Sequence, residues 1–169
     1  MKAKRNITVL FRRKRQSKTD YNKRKRLLLS EQFRLVVRFT NKKVIAQIVS
    51  FTPKGDKVEL ALDSSELKKA GWNHSLKNLP SAYLAGILLA KKAQQKGLKE
   101  AILDTGLVAP QKKGKIYAFL KGVIDGGMQI PYGDEEVFPS QDRLQGEHLT
   151  VNKAQVVAEF KKVKEKIMH

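Results

Sequence analysis

Residues 34–48 read RLVVRFTNKKVIAQI, and this stretch decides the fold. Every second residue from the second position is apolar and would point to one face of a β-strand: Leu35, Val37 and Phe39. Residues 40–43 have the composition of a turn, and residues 44–51 return to a pattern rich in β-branched side chains. The stretch therefore predicts two antiparallel strands joined by a short turn.

The sequence after this hairpin predicts an α/β fold, in which helices cover a mixed β-sheet. A turn at residues 53–56 and an alternating stretch at residues 58–62 complete a three-stranded meander. A long helix from Pro80 to Lys96, stopped by Gly97, contains small residues that allow close packing on the sheet: Ala85, Gly86, Ala90 and Ala93. The short strand at residues 100–104 follows a helix, so we expect it to pair in parallel with an inner strand.

The C-terminal part predicts a helix, an irregular wrap and a second helix. Residues 112–126 repeat apolar side chains at helical spacing and end in a glycine pair. Residues 128–149 have no periodicity but hold apolar side chains that need burial: Ile130, Val137, Phe138 and Leu144. An amphipathic helix capped by Asn152 follows, with one apolar stripe: Val156, Phe160, Val163 and Ile167. We divide the chain into a basic N-terminal arm and helix (1–29), a globular α/β domain (30–127) and a wrap with a C-terminal helical extension (128–169).

The segment before the hairpin carries the only dense run of charge, FRRKRQSKTDYNKRKRLLL at residues 11–29. Ser17 and Thr19 are both candidate N-caps of a helix, and Asp20 suits the positive N-terminal end of that helix. The four basic residues 23–26 would point around its whole circumference. Such a helix cannot pack against an apolar core, so it needs water or a polyanion around it.

The charge of the chain is concentrated at its N-terminal end. The sequence has 35 Lys and Arg against 16 Asp and Glu, a net charge of +19. Residues 1–43 hold 16 of the basic residues and only two acids, so +14 of that charge lies there. This segregation favours a polyanionic partner. The absence of cysteine excludes disulfides and thiolate zinc sites, and the apolar run at residues 82–90 is too short to cross a bilayer. We expect a soluble cytoplasmic protein.

The runs FRRKR, KTDYNKRKRLLL and RLVVRFTNKKVIAQI resemble the archaeal form of the large-subunit ribosomal protein family eighteen, whose eukaryotic counterpart is large-subunit protein five. Further similar stretches extend the resemblance over nearly the whole chain: SSELKKAGW (64–72), PSAYLAGILLAKKA (80–93), AILDTGL (101–107) and IPYGDEEVFPSQDRLQGEH (130–148). The last stretch resembles the archaeal and eukaryotic branch, because the bacterial form stops earlier. The segment before Phe11 departs from the pattern, and we assign it no function.

The resemblance implies a ribonuclease H-like topology and a structural, non-catalytic role in the large ribosomal subunit. It implies binding of 5S rRNA and its attachment to the large rRNA in the central protuberance, beside the ribosomal protein of the family numbered five. Arginine forks suit phosphates and guanine edges, and lysine acts as a mobile charge. The predicted RNA-binding residues are Arg12, Arg13, Lys14, Arg15, Lys18, Thr19, Tyr21, Lys23, Arg24, Arg26, Arg34, Arg38, Asn41, Lys42 and Lys43.

Several of these residues have a second interpretation that the sequence leaves open. The basic run is also typical of a disordered tail or a localisation signal. Tyr21 suits either stacking on an unpaired base or packing the helix onto the sheet. The basic residues of the hairpin suit either RNA contact or a charge-protected sheet edge. Trp72 suits an RNA contact and a core position equally well, whereas His74 has no second histidine at the spacing of metal ligands.

An enzymatic function is disfavoured. A nuclease of the ribonuclease H type needs several carboxylates around two metal ions, and Asp63, Asp104 and Asp125 each end an element. The strand at residues 34–39, however, has no acid at the place where such a nuclease carries its central carboxylate. We therefore expect no catalysis and no cofactor. The alternative to a ribosomal constituent is a free RNA-binding module or an assembly factor.

Overall fold

The computed structural model describes residues 9–149 and 153–168, and these residues form an α/β fold with one four-stranded sheet. The strands are β1 (Arg34–Phe39), β2 (Val44–Thr52), β3 (Gly55–Asp63) and β4 (Ile102–Asp104). The α-helices are α1 (Arg12–Arg15), α2 (Tyr21–Leu28), α3 (Leu79–Gln95), α4 (Lys115–Asp125), α5 (Gln141–Gln145) and α6 (Lys153–Met168). Two 3₁₀ helices cover Ser64–Ala70 and Glu135–Val137. Within the described ranges no helix has the length and apolar character needed to cross a membrane.

The sheet confirms the predicted meander and the parallel fourth strand. Its order is β3-β2-β1-β4, with β1 antiparallel to β2 and β2 antiparallel to β3. β4 pairs in parallel with β1, and Arg34 lies opposite Ile102. The turn between β2 and β3 is shorter than predicted, because Gly55 and Asp56 already belong to β3. Asp56 therefore lies at the end of a strand instead of in a loop.

The apolar side chains that alternate along the first strand are the ones that face the core. Leu35 and Val37 are buried in the main core, and Phe39 packs against that core from its edge. Residues of β2 and of α3 complete this core, which lies between the sheet and α3 and includes residues of α4 and α6. One face of the sheet is therefore covered by α3, and the other face is left for the N-terminal segment.

Two glycines allow α3 and α4 to cross at short distance. A Cβ atom built on Gly86 would lie 2.3 Å from the carbonyl oxygen of Phe119, and one built on Gly122 would lie 2.1 Å from that of Tyr83. Our prediction that Gly86 packs on the sheet is therefore wrong, because the close neighbour is α4. The Tyr83 hydroxyl donates a 2.8 Å hydrogen bond to Asp125 across the same crossing. Burial and this carboxylate raise the pKa of Tyr83 well above its usual value.

The C-terminal part closes the domain as the apolar pattern predicts. Ile130, Val137 and Leu144 are buried, although the chain between them is mostly irregular. α6 packs on α3, where the rings of Phe160 and Tyr83 stack with centroids 5.7 Å apart. The predicted cap of α6, Asn152, lies outside the described residues. The division into three segments stays a prediction.

Trp72 belongs to the core. Its side chain is buried, and its Nε1 donates a 3.1 Å hydrogen bond to the carbonyl of Ser75. The ring of His74 meets the indole edge to face, at a centroid distance of 5.2 Å. His74 in turn lies 3.4 Å from Glu159 of α6. The loop around the tryptophan, which follows the 3₁₀ helix Ser64–Ala70, therefore packs against α6. Because Trp72 is buried, the RNA contact considered for it is wrong.

Candidate nucleic-acid interface

The basic helix α2 lies across the face of the sheet that α3 does not cover. Lys23 donates from Nζ to the hydroxyl of Thr105 at 3.0 Å and to the carbonyl of Gly106 at 2.9 Å, just after β4. Arg24 donates to Asp56 of β3 at 2.8 Å. β4 and β3 are the two edge strands, so these contacts attach α2 to both edges of the sheet. The domain thus fixes the position of α2 and of its basic side chains.

The start of α2 differs from the prediction by one residue. Asp20 is the N-cap, and its Oδ1 accepts from the backbone N–H groups of Asn22 at 2.9 Å and Lys23 at 3.1 Å. The predicted caps Ser17 and Thr19 are wrong. Ser17 lies in the turn after α1 with a φ of +49°, and Thr19 accepts a 2.8 Å hydrogen bond from Arg13. The carboxylate is the better cap here because it carries a negative charge at the positive end of the helix.

The basic residues of α2 do not all face outward, which corrects a second expectation. Lys23 and Arg24 are half-buried against the domain, while Lys25 and Arg26 are exposed. The expectation assumed that the covered surface would be apolar. This face of the sheet instead offers carboxylates and carbonyl oxygens, which can accept hydrogen bonds from basic side chains.

Below α2 lies an ion network built around Arg34. This arginine is 2% exposed, and its Nη atoms lie 2.7 Å from Asp56 and 3.0 Å from Asp104. Arg24 shares Asp56, and Arg38 lies 3.5 Å from Asp104. The structure therefore gives Arg34 an internal position, and we assign it to holding the interface together instead of contacting RNA. Burial works to raise the pKa of Asp56, but hydrogen bonds and charge from Arg24 and Arg34 outweigh it and keep that pKa below its usual value.

Arg38 stands at the border between this network and the solvent. Its side chain is 43% exposed, and its Nη1 donates to the carbonyls of Val37 at 2.7 Å and Asp104 at 2.8 Å. Among the described residues its Nη2 contacts only the Asp104 carboxylate, at 3.5 Å. Arg38 is therefore fixed at one edge of its guanidinium group and open at the other.

The outer part of the surface is exposed and basic. The remaining predicted residues of the arm and of the turn between its helices are exposed: Arg12, Arg13, Lys14, Arg15 and Lys18. Tyr21 is half-buried, and its ring lies 5.2 Å from that of Phe11. Its aromatic partner thus comes from the residue before α1, whereas we considered packing on the sheet. One face of the tyrosine stays a candidate for base stacking.

The hairpin turn between β1 and β2 divides into exposed and paired residues. Asn41 and Lys42 are exposed, while Lys43 is hydrogen-bonded to Asp63. Asp63 also caps the 3₁₀ helix by accepting from Ser65 at 2.9 Å. Burial opposes ionisation of Asp63, but the bonds from Lys43 and Ser65 prevail, so its pKa lies below its usual value. Lys43 is thus partly neutralised within the chain.

The three carboxylates considered for a nuclease are each held by neighbouring side chains. Asp63 pairs with Lys43, Asp104 with Arg34, and Asp125 with the Tyr83 hydroxyl and with Lys121 at 3.2 Å. Among the described residues no group of three or more His, Cys, Asp or Glu side chains could hold a metal ion.

Sequence reasoning missed three residues that build the interface: Asp56, Thr105 and Gly106. Asp56 stood in a predicted turn, and the other two stood in a loop with no periodicity. Nothing local marks them, because their role arises only where α2 meets the edges of the sheet.

The chain is similar to known ribosomal proteins. Residues 5–100 match the family model described as ribosomal large subunit proteins 60S L5 and 50S L18. These residues include both basic clusters, the meander and α3. The match therefore covers the candidate interface except β4, which carries Asp104, and the loop after it.

Individual relatives extend the similarity to most of the chain. A protein of Caldivirga maquilingensis named large ribosomal subunit protein uL18 is 47% identical over 154 residues, which are 90% of this chain and 72% of the relative. Proteins of the same name from Methanoregula boonei and Korarchaeum cryptofilum are 45% and 48% identical, each over 83% of this chain. They are covered over 80% and 72% of their own lengths.

Proposed function

The chain belongs to the family of ribosomal large subunit proteins 60S L5 and 50S L18, and from that premise we propose that it binds 5S rRNA through the surface of α1, α2 and the hairpin. It is a structural constituent of the large ribosomal subunit and not an enzyme. In the proposal it helps attach 5S rRNA to the large rRNA in the central protuberance, beside the ribosomal protein of the family numbered five.

One observation carries this proposal: the exposed cations of the arm are mounted on a helix that the domain holds in place. The contacts of Lys23 and Arg24 fix α2 on the sheet, so Lys25 and Arg26 project from a defined surface. The hydrogen bond from Arg13 to Thr19 and the contact of Phe11 with Tyr21 link α1 to the start of α2. A defined arrangement of charges can match the spacing of phosphates, since less freedom is lost on binding. A charge tail used only for solubility would not need these anchors.

The proposed RNA-binding residues fall into two groups. The contacting group is exposed or borders the solvent: Arg12, Arg13, Lys14, Arg15, Lys18, Tyr21, Arg26, Arg38, Asn41 and Lys42. The positioning group is held by partners within the chain, in the arm for Thr19 and in the domain for the others: Thr19, Lys23, Arg24, Arg34 and Lys43. Phosphate neutralisation by the first group supplies the affinity, and the second group sets the geometry.

The topology has a counterpart proposal. We infer a ribonuclease H-like arrangement, supported by the strand order β3-β2-β1-β4 with an antiparallel meander and a parallel β4 after α3. In this arrangement the sheet supports α2 on one of its faces. Superposition of an experimental structure on a ribonuclease H tests this part independently of RNA binding.

The experiment for the function is fluorescence anisotropy with labelled 5S rRNA over a salt series. We expect tight binding whose logarithm falls linearly with the logarithm of salt concentration, by roughly 0.7–0.9 for each phosphate neutralised. An unrelated structured RNA of the same length serves as the competitor control. Equal affinity for both RNAs would favour a free RNA-binding module, and crosslinking with mass spectrometry on purified large subunits would then identify the RNA contacted.

A further inference from the structure

A polar cleft lies where the arm meets the loop after β4. It is bordered by the turn between α1 and α2, the first turn of α2, the end of β1 and Gly106, and it has a volume of about 150 Å³. This space is several times the share of one water in the liquid, about 30 Å³, so a small anion such as a phosphate group can enter it.

The charges that line the cleft are predominantly positive. The basic lining residues include Arg13, Lys18, Lys23 and Arg38, whereas the acidic ones are Asp20 and Asp104. Both carboxylates are already occupied by donors of the chain. Asp20 accepts from the first turn of α2, and Asp104 accepts from Arg34 at 3.0 Å and from the backbone of Gly106 at 2.8 Å.

The cations, in contrast, keep unused donors. Arg13 uses its Nε for Thr19, and among the described residues its two terminal nitrogens have no hydrogen-bond acceptor. Within residues 9–149 and 153–168, the side chain of Lys18 has no hydrogen-bond or ion-pair partner, and Nη2 of Arg38 has a single contact, at 3.5 Å. The cleft therefore presents cationic donors that its own carboxylates do not pair.

The backbone around Arg38 is shaped to keep this arginine in place. Gly106 has a φ of +63°, and a Cβ atom built on it would lie 2.8 Å from Nη2 of Arg38. Any side chain at this position would push the guanidinium group away, and the backbone conformation disfavours one as well. A residue without a side chain here is what allows Arg38 to lie over the loop.

We propose that this cleft binds one phosphate group, held by Arg13, Lys18 and Arg38, with Gly106 as a positioning residue. The phosphate is either a phosphodiester of the bound RNA or a free phosphate ion, and the first case rests on the proposed function. The cleft thus supplies one fixed point on the RNA backbone, in contrast to the diffuse attraction of the exposed arm.

The test measures whether Arg13 and Arg38 contact the same phosphate. The affinity for 5S rRNA is measured for Arg13→Gln, Arg38→Gln and the double variant. The control is Lys25→Gln, an exposed cation of α2 that lies outside the cleft. Each cleft variant should lose about tenfold, because a hydrogen bond to a charged group is lost, and the control about twofold. The double variant should lose clearly less than the product of the single effects, since the second loss finds the phosphate already released.

Gly106→Ala separates geometry from charge. It keeps the net charge, so diffuse electrostatics predicts no change, whereas displacement of Arg38 predicts a loss close to that of Arg38→Gln. Arg13→Gln alters an exposed side chain, and the thermal unfolding temperature, recorded for every variant, distinguishes a lost RNA contact from lost folding.

A second measurement identifies the source of the phosphate. Thermal unfolding of the wild type and of Arg38→Gln is compared in sodium phosphate and in sodium chloride of equal ionic strength. If phosphate stabilises the wild type and Arg38→Gln removes that stabilisation, the site binds a free phosphate ion. If phosphate has no effect but the losses of RNA affinity in the double variant are non-additive, the site binds a phosphodiester. If the wild type binds 5S rRNA but the cleft variants match Lys25→Gln, and phosphate stabilises nothing, the cleft proposal is overturned while the proposed function stands. Absence of RNA binding by the wild type would overturn the proposed function instead.

Discussion

The guanidinium group of Arg34 lies 3.0 Å from the carboxylate of Asp104, and only 2% of the arginine side chain is exposed. The contact joins the central strand β1 to the edge strand β4, directly below the basic helix. A charge in this position has a high desolvation cost, so it persists only with its partners. It therefore connects the stability of the domain to the placement of the proposed RNA-binding surface.

Removal of Arg34 should destabilise the protein strongly. Arg34→Ala leaves Asp56 and Asp104 with fewer donors and opens a cavity under α2, so we expect a loss of about 3 kcal/mol in the free energy of unfolding. Urea unfolding followed by circular dichroism measures it. The matched control is Arg26→Ala, an exposed arginine, which should change stability by less than about 0.5 kcal/mol. Equal losses in both variants would remove Arg34 from the positioning group.

Acid should weaken the attachment of α2 through Asp56. The pKa of this carboxylate is lowered in the folded state, so its stabilisation is present above its unfolded pKa, near 3.8, and is lost as the pH falls through the folded pKa. Asp56→Asn should thus be less stable than the wild type at neutral pH, and the difference should shrink below about pH 4. Urea midpoints measured across this range test it. A difference that stays constant down to about pH 2 would contradict the assignment.

The crossing of α3 and α4 should not tolerate a side chain at Gly122. The Cβ atom of Gly122→Ala would lie 2.1 Å from a backbone oxygen of Tyr83, so the helices must separate. We expect a loss of about 1–3 kcal/mol or more, seen as a lower unfolding temperature. Gly133→Ala is the control, because no atom lies within 4 Å of its added carbon. If Gly122→Ala is as stable as Gly133→Ala, the packing described here is wrong.

Two truncations should separate the arm from the helix that supports it. Deletion of residues 1–19 removes α1 but keeps Asp20 as the cap of α2, so the unfolding temperature should hold while the affinity for 5S rRNA falls by orders of magnitude. Deletion of residues 1–29 also uncovers Arg34 and should lower the unfolding temperature. Calorimetry and anisotropy measure the two effects. Equal stability of both truncated proteins would show that α2 adds nothing to the domain.

Tyr21 should contribute to RNA affinity without contributing to its salt dependence. A stacked base is worth roughly 1–3 kcal/mol and releases no counterion, so Tyr21→Ala should weaken binding while the salt slope stays constant. Tyr21→Phe should be nearly silent, because the ring is retained. Arg12→Ala provides the contrast, since it should lower the slope by about one unit or less. Unchanged affinity in Tyr21→Ala, with a lower unfolding temperature, would limit the tyrosine to its packing with Phe11.

The elements of this protein follow from its sequence because their signals are local. The alternation of Leu35 and Val37 gave β1 with its bounds, and the apolar stripe of α6 gave the buried residues Val156 and Phe160. The basic arm was equally visible, since charge density needs no structure to be counted. Periodicity specifies which residues share a face, and that was sufficient for the core.

Only the tertiary structure decided what each face meets. Arg34 and Arg38 alternate with apolar residues on the same strand, yet one is buried and the other borders the solvent, because α2 covers the first and stops short of the second. Gly86 packs on α4 and not on the sheet for the same kind of reason. A residue's periodic position fixes the direction of its side chain from the backbone. Its environment depends on a segment distant in the chain, and local periodicity does not specify which segment that is.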